Sequence, residues 1–337
     1  MKILHLLASP LWSGPAENVA LLALAQRSKG HDVRVAVDRK RPTPPFEEPS
    51  VPRLRALGLL DEGGLELCVK SLPWRMVADA LTLRRRRVDV IHSHFSHDHY
   101  VARWGRPSHA ILVRSIHAPR SLRGVPAAEA WTVSTAAEAE QLRGRVLVLP
   151  PLVGDRFRPP DDRAALQRDL GVDGGPVVGM VSTFQPSRRH DLGVAAFARL
   201  SERSPNARWV LVGDGPLREG IRRRVDAERL QRVTFAGYQP GEAFVRWLQA
   251  LDVLWILGLG NDFSGRAAAQ ARACGVRVVA VPEGALDQLA DELLPSPDPD
   301  AIAAATLRST RRNVELPSNE AIAERVLALY AACGARA

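Results

Sequence analysis

The chain has 337 residues, 46% of them apolar and 25% charged, the make-up of an ordinary soluble globular protein with enough length for two domains. Its three scattered cysteines, Cys68, Cys274 and Cys333, argue against a disulfide framework or a cysteine metal site and fit a reducing cytoplasm. A net charge of +9 calls for an anionic partner, and no apolar run is long enough to span a bilayer.

The opening MKILHLLASPLW has one lysine, a short apolar run interrupted by His5, and then Pro10. It reads as a buried strand over Lys2–Leu7 rather than a secretory signal. A turn over Ser9–Pro15 leads to a helix over Ala16–Lys29, with Val19, Leu22 and Ala23 at helical spacing and a stop at Gly30. Asp32–Val37 is the second strand. The proline-rich stretch Arg39–Pro52 is a loop and a candidate lid or acceptor-facing segment. Strands are then predicted over Leu65–Val69 and Val88–Ser93, with an arginine-rich helix over Met76–Arg87 between them. Ile111–Ile116 and Trp131–Ser134 follow. Ser134 is the predicted cap of the next helix, with Glu138 one residue beyond the usual capping-box position, and Val146–Leu149 closes the half.

Pro150–Asp173, rich in proline and arginine, marks a domain boundary. Val177–Val181 begins a second strand–helix alternation through Asp191–Leu200, Trp209–Gly213, Gly215–Glu228 and Val233–Gly237. The apolar run Leu251–Leu257 is followed by a turn containing Gly258, Gly260, Asn261, Asp262, Ser264 and Gly265. A helix runs over Arg266–Cys274 to the C-cap Gly275, and a strand over Val276–Val281 leads to another helix start at Gly284. The last helix spans Glu320–Cys333. Repeated strand–helix units argue for doubly wound parallel sheets. Such sheets collect backbone N–H groups and positive helix ends along one edge, which suits an anion.

Several clusters bear on chemistry. The histidines of His92-Ser-His94-Phe-Ser-His97-Asp98-His99 could ligate a metal, but they straddle a strand end and no glutamate or cysteine completes the set. They fit better as side chains at the carboxyl end of a strand, where open α/β sheets bind ligands. Gly213-Asp-Gly215 lacks the third glycine of a dinucleotide fingerprint, because Arg218 stands there. The arginine runs Arg84–Arg87 and Arg222–Arg224 read as solvated helix faces or as contacts to an anionic membrane or anionic sugars. No nucleic-acid recognition motif accompanies them.

The segment Asp262-Phe-Ser-Gly-Arg-Ala-Ala-Ala-Gln270-Ala-Arg-Ala-Cys-Gly275 resembles the donor-site motif of family 4 glycosyltransferases, retaining enzymes of the GT-B fold. Two glutamates of that motif stand here as Asp262 and Gln270. Val212-Gly213-Asp-Gly215-Pro resembles the family's glycine turn near the bound nucleotide. Arg188 falls where the family's donor-site lysine does, and Thr183 where its arginine does. Arg266, behind the glycine loop that holds Gly265, is the candidate to replace the missing cation. His117 resembles the first-domain histidine that contacts the donor sugar, and Ser13-Gly14 the Gly-Gly turn after the first strand, with His94 also on the acceptor side.

The resemblance implies two Rossmann-like domains facing across a cleft, 1–155 on the acceptor side and 156–315 for the nucleotide-sugar, with a helix over 316–337 packing back on the first. It implies a hexosyl transfer from a nucleotide-diphosphate sugar, a co-substrate and not a cofactor, without a metal ion. Asp262 would bond sugar hydroxyls and Gln270 the nucleotide ribose. The acceptor would be a glycan, polysaccharide or lipid-linked molecule, at the inner face of the membrane or free in the cytoplasm. The alternatives are a catalytically silent GT-B partner subunit, a basic membrane- or polyanion-binding module, and an epimerase, which would need acid/base carboxylates that the sequence does not locate.

Overall fold

A computed structural model describes residues 1–43, 47–69, 73–122, 126–260 and 264–335. The chain divides into two compact units, Met1–Leu152 with Pro317–Ala337, and Val153–Leu316.

Unit 1 runs β1 (Lys2–Leu7), α1 (Gly14–Ser28), β2 (Asp32–Val37), α2 (Ser50–Ala56), α3 (Pro73–Arg84), β3 (Val90–Ser93), α4 (Ser96–Gly105), β4 (Ile111–Ser115), β5 (Ala130–Val133), α5 (Ala136–Ala139) and β6 (Arg145–Val148). The strands form a parallel sheet in the order β2-β1-β3-β4-β5-β6. Both faces of the sheet are covered, so apolar side chains are buried on each of them. Ile3 and Leu7 of β1 face α1, while Leu4 and Leu6 face α3 and α4. The chain comes back to this unit at its end. There α13 (Asn319–Ala332) inserts Ile322, Ala323, Val326 and Tyr330 into the cluster built by α1 and the sheet, and Arg325 donates to the Val148 carbonyl at 2.8 Å.

Unit 2 runs α6 (Arg163–Asp169), β7 (Val177–Val181), α7 (His190–Arg203), β8 (Arg208–Val212), α8 (Arg218–Ala227), β9 (Val233–Gly237), α9 (Gly241–Ala250), β10 (Val253–Ile256), α10 (Arg266–Ala273), β11 (Arg277–Ala280), α11 (Leu286–Leu289), β12 (Glu292–Leu293) and α12 (Pro299–Leu307). Its parallel sheet has the order β12-β11-β10-β7-β8-β9. α9 and α10 cover one face, and α7, α8 and α12 the other.

Three local expectations are corrected. Leu65–Val69 is irregular rather than a strand: Leu67 has φ 47, and the N–H groups of Glu66 and Leu67 donate to the Asp79 carboxylate of α3 at 2.9 and 3.0 Å. Thr135, not Ser134, caps α5. Its hydroxyl accepts the Glu138 N–H at 3.2 Å, which puts Glu138 in the regular capping-box position. α8 begins at Arg218 rather than Gly215, because the preceding residues form a loop against β7's exit. Among the described residues no helix is long and apolar enough to cross a membrane.

Candidate functional site

In an open parallel sheet, ligands bind outside the carboxyl ends of the strands, where the strand order reverses. In unit 2 that point lies between β7 and β10, and in unit 1 between β1 and β3.

At the unit 2 switch point three loops meet. Gly213 has φ 140, and a Cβ there would overlap the Ser182 carbonyl. Gly215 has φ 154, and its Cβ would lie 2.8 Å from the Phe184 backbone. These glycines are therefore required by the close passage of the β8 loop over the β7 loop. Gly258 packs the same way on Ser187, and the Leu259 N–H donates to the Ser187 carbonyl at 2.9 Å. Arg188, on the short turn Pro186–Arg188, is half-buried and has no ion-pair partner among the described residues. A cation held this way at a strand-end edge is suited to an anion.

Gly265, with φ 63, precedes α10. A Cβ there would lie 2.6 Å from Leu289, so the residue must be small as well as left-handed. The N-cap residue, Gly265, has no side chain to cap the helix start. Arg266 is its first residue, half-buried, and shares a face with Gln270 by helical spacing. Gln270 is buried, and its amide makes no hydrogen bond among the described residues. Asp262 lies outside the described residues. Sequence reasoning missed His190. Its ring stacks on Phe184 at 4.2 Å and 8°, and burial lowers its pKa to about 4. Its position after Arg188 and Arg189 at a helix start was the available signal.

Unit 1 presents the uncapped start of α1 at Ser13 and Gly14, with Pro15 next. The predicted lid segment is tied here: Trp12 N–H donates to Glu48 O at 2.7 Å, and Ser50 N–H to Pro10 O at 2.8 Å. Residues 44–46 of that segment lie outside the described residues. His94 follows β3 directly, and its N–H donates to Leu6 O at 3.1 Å, spanning the switch point. Asp98 fastens this corner by accepting N–H groups of Ala8 at 2.8 Å, His94 at 3.1 Å and Phe95 at 2.9 Å. Burial nevertheless pushes its carboxyl up to about 7. His117, two residues past β4, is half-buried and bonded through Nε2 to His94 Nδ1 at 3.1 Å.

Behind these two lies a buried polar row that sequence reasoning did not assemble. His5, His92, Ser115 and Thr132 are contributed by β1, β3, β4 and β5, all on the face covered by α1 and α13. His5 Nδ1 meets His94 Nε2 at 3.0 Å, and His5 Nε2 meets Gln26 Oε1 of α1 at 2.9 Å. Gln26 Nε2 donates to the Tyr330 hydroxyl of α13 at 3.2 Å. His92 bonds Tyr330 at 2.6 Å and Ser115 at 2.8 Å, and Ser115 bonds Thr132 at 2.6 Å. Burial lowers the pKa of His5 and His117 to about 4 and drives His92 and His94 well below the ordinary range, so all four rings are neutral at pH 7. One nitrogen from each of His5, His92 and His94 lies within 4.8 Å of the other two, yet all six ring nitrogens are committed to protein hydrogen bonds. A metal ion would have to break several of them.

The surface carries one further feature. Trp74, Val77 and Leu81 stand on one exposed face of α3, Trp74 at 64%, and Trp104 of the adjoining α4 is also exposed. Arg84, Arg85 and Arg87 continue from α3, exposed and without ion pairs among the described residues.

Comparison with known proteins places both halves. Residues 12–151 match the model described as Glycosyltransferase Family 4, and residues 175–311 that described as Glycosyl transferases group 1. The 2-deoxystreptamine N-acetyl-D-glucosaminyltransferase of Streptomyces fradiae is 34% identical over 208 residues, 58% of this chain and 48% of that protein. The D-inositol 3-phosphate glycosyltransferase of Nocardia farcinica is 35% identical over 176 residues, 47% of this chain and 39% of that protein. The chain thus spans about half the length, or less, of these two relatives. Among solved structures, Anabaena Alr3699/HepE in complex with UDP superposes with a TM-score of 0.72 at 18% identity, covering 98% of each chain, and the same protein has been solved with UDP-glucose.

Proposed function

The chain belongs to the family 4 glycosyltransferases, with the paired parallel sheets of the GT-B fold, and on that premise we propose that it moves a sugar from a nucleoside-diphosphate sugar to a hydroxyl of a glycan or lipid-linked acceptor, retaining the anomeric configuration. The observation that carries this reading is the half-buried Arg188 at the switch point of unit 2, without an ion-pair partner among the described residues and set among loops brought together by Gly213, Gly215 and Gly258. A diphosphate needs such a cation together with backbone N–H groups. The UDP and UDP-glucose held by the Anabaena protein favour a uridine donor.

In the transfer, the bond between the anomeric carbon and the diphosphate oxygen breaks while the bond to the acceptor oxygen forms on the same face. The acceptor's proton passes to the departing diphosphate. Arg188, Arg266 and the start of α10 stabilise that departing charge, and no metal takes part. Asp262 and His117 contact the sugar, Gln270 the ribose, and Ser13, Gly14 and His94 serve the acceptor side. The apolar face of α3, bordered by Arg84, Arg85 and Arg87, suits an anionic bilayer and favours a lipid-linked acceptor at the cytoplasmic face of a membrane.

A second reading, a protein that binds sugar nucleotide without turning it over, draws on Thr183, Asp262 and Gln270, which stand where the family has an arginine and two glutamates. The test is incubation with UDP-glucose and other nucleoside-diphosphate sugars in EDTA, with release of nucleoside diphosphate and the product's anomeric coupling followed together. Release with retained configuration is expected. Binding without release would select the second reading, and inverted product would overturn the stereochemistry proposed.

A further inference from the structure

The buried row in unit 1 has a direction, and the amide of Gln26 sets it. Gln26 Nε2 donates to the Tyr330 hydroxyl at 3.2 Å, so the phenol's own proton goes to its other neighbour, His92 Nδ1, at 2.6 Å. Gln26 Oε1 faces His5 and must receive a proton from His5 Nε2 at 2.9 Å. A neutral ring protonated on Nε2 is an acceptor on Nδ1, so His94 Nε2–H donates to His5 Nδ1. By the same rule His117 Nε2–H donates to His94 Nδ1. The other arm agrees, with His92 Nε2–H donating to Ser115 and Ser115 to Thr132. Reversing any one link would leave two donors or two acceptors facing each other in a region closed to water, unless the whole chain reversed with it.

We propose that Tyr330, acting through Gln26, His5 and His94, is a positioning residue that fixes His117 as the tautomer protonated on Nε2, so that Nδ1 is the lone pair His117 offers to a hydroxyl of its substrate. The substrate half of this statement rests on the role given to His117 above, while the tautomer half rests on unit 1 alone. The arrangement ties the last helix, α13, to the residue at the end of β4: the chain's C-terminal region sets the hydrogen-bonding sense of a side chain at the switch point. It also makes His117 an acceptor for neutral hydroxyls and gives it no cation with which to attract a carboxylate.

The experiment uses the full chain labelled with 15N-histidine and long-range proton–nitrogen correlation of the imidazoles at pH 7, with His117 assigned by the loss of its signals in His117→Ala. The wild type is expected to show His117 protonated on Nε2 only. A ring protonated on Nδ1, or averaging between tautomers, would overturn the proposal. Tyr330→Phe removes only the hydroxyl that sets the direction, so it is expected to release His117 into a mixture of tautomers. Val326→Ala, which loosens the same helix without touching the row, is expected to leave the tautomer unchanged. A tautomer in Tyr330→Phe identical to wild type would also overturn the proposal. With UDP-glucose as donor, kcat should fall in proportion to the fraction leaving the Nε2–H form, about twofold for an even mixture, with KM for the donor steady. A tautomer change without a change in kcat would uphold the relay and remove His117 from the reaction instead.

Discussion

Lowering the pH from 7 to 5 should destabilise unit 1, because its imidazoles are folded in neutral. The folded pKa values of His5, His99 and His117 are lowered to about 4, from 6.5 in the unfolded chain. A group with a depressed folded pKa that is charged by protonation binds its proton better when unfolded, so the stability it contributes is lost as pH falls from 6.5 toward 4. Between pH 7 and pH 5 each such ring costs about 1.8 kcal/mol, and the three together about 5.5 kcal/mol. Asp98 works in the opposite sense. With its carboxyl raised to about 7, it takes up a proton on acidification while folded, which offsets about 2 kcal/mol. The net loss is about 3 kcal/mol, a large part of a domain's total stability, and His92 and His94 add to it in the same direction. Urea unfolding followed by circular dichroism at the two pH values measures this. His5→Gln should flatten the dependence by close to one proton. Stability that holds level or rises between pH 7 and pH 5 would refute the reasoning.

Arg188→Ala should weaken UDP binding about tenfold in a calorimetric titration, the worth of one charge-assisted contact to a phosphate; unchanged affinity would take Arg188 out of the site. Gly213→Ala should cost about 2–4 kcal/mol and show as a lower melting temperature, because the residue has φ 140 and its Cβ would strike Ser182. Replacing Trp74 with Ala and Leu81 with Ser together should reduce binding to phosphatidylglycerol vesicles about tenfold or more, while turnover of soluble substrates stays put. Vesicle binding that ignores lipid charge would contradict an anionic surface as the partner of α3.

The strand rhythm was legible because strands covered on both faces become near-continuous apolar runs such as Val177–Val181. Leu65–Val69 has the same look, but its backbone is held by Asp79, a partner that only the fold supplies. α4 went unread because its start, Ser96-His-Asp98-His99, reads first as a histidine cluster, and the role of Asp98 as a clasp depends on Ala8 coming near. The candidates His94 and His117 sit just past β3 and β4 and could be placed from the sequence, since strand ends locate them, whereas Arg188, seven residues beyond β7, was placed by the resemblance alone. The buried row could not. Its phase is visible in retrospect, with His5 between Ile3 and Leu7 and Ser115 after Val113, but its terminal partner Tyr330 is 304 residues from Gln26. The resemblance supplied roles for Gly213 and Gly215 near a nucleotide; the structure adds that Ser182 and Phe184 already require both glycines.

The central claim is a nucleoside-diphosphate site on unit 2, and the most direct measurement is the melting temperature of the purified chain in EDTA against rising concentrations of UDP, GDP and ADP. A ligand bound only by the folded state raises the midpoint with concentration. Such a rise is expected with one nucleotide, UDP first, and its loss in Arg188→Ala. No rise with any of the three at millimolar concentration would contradict the claim.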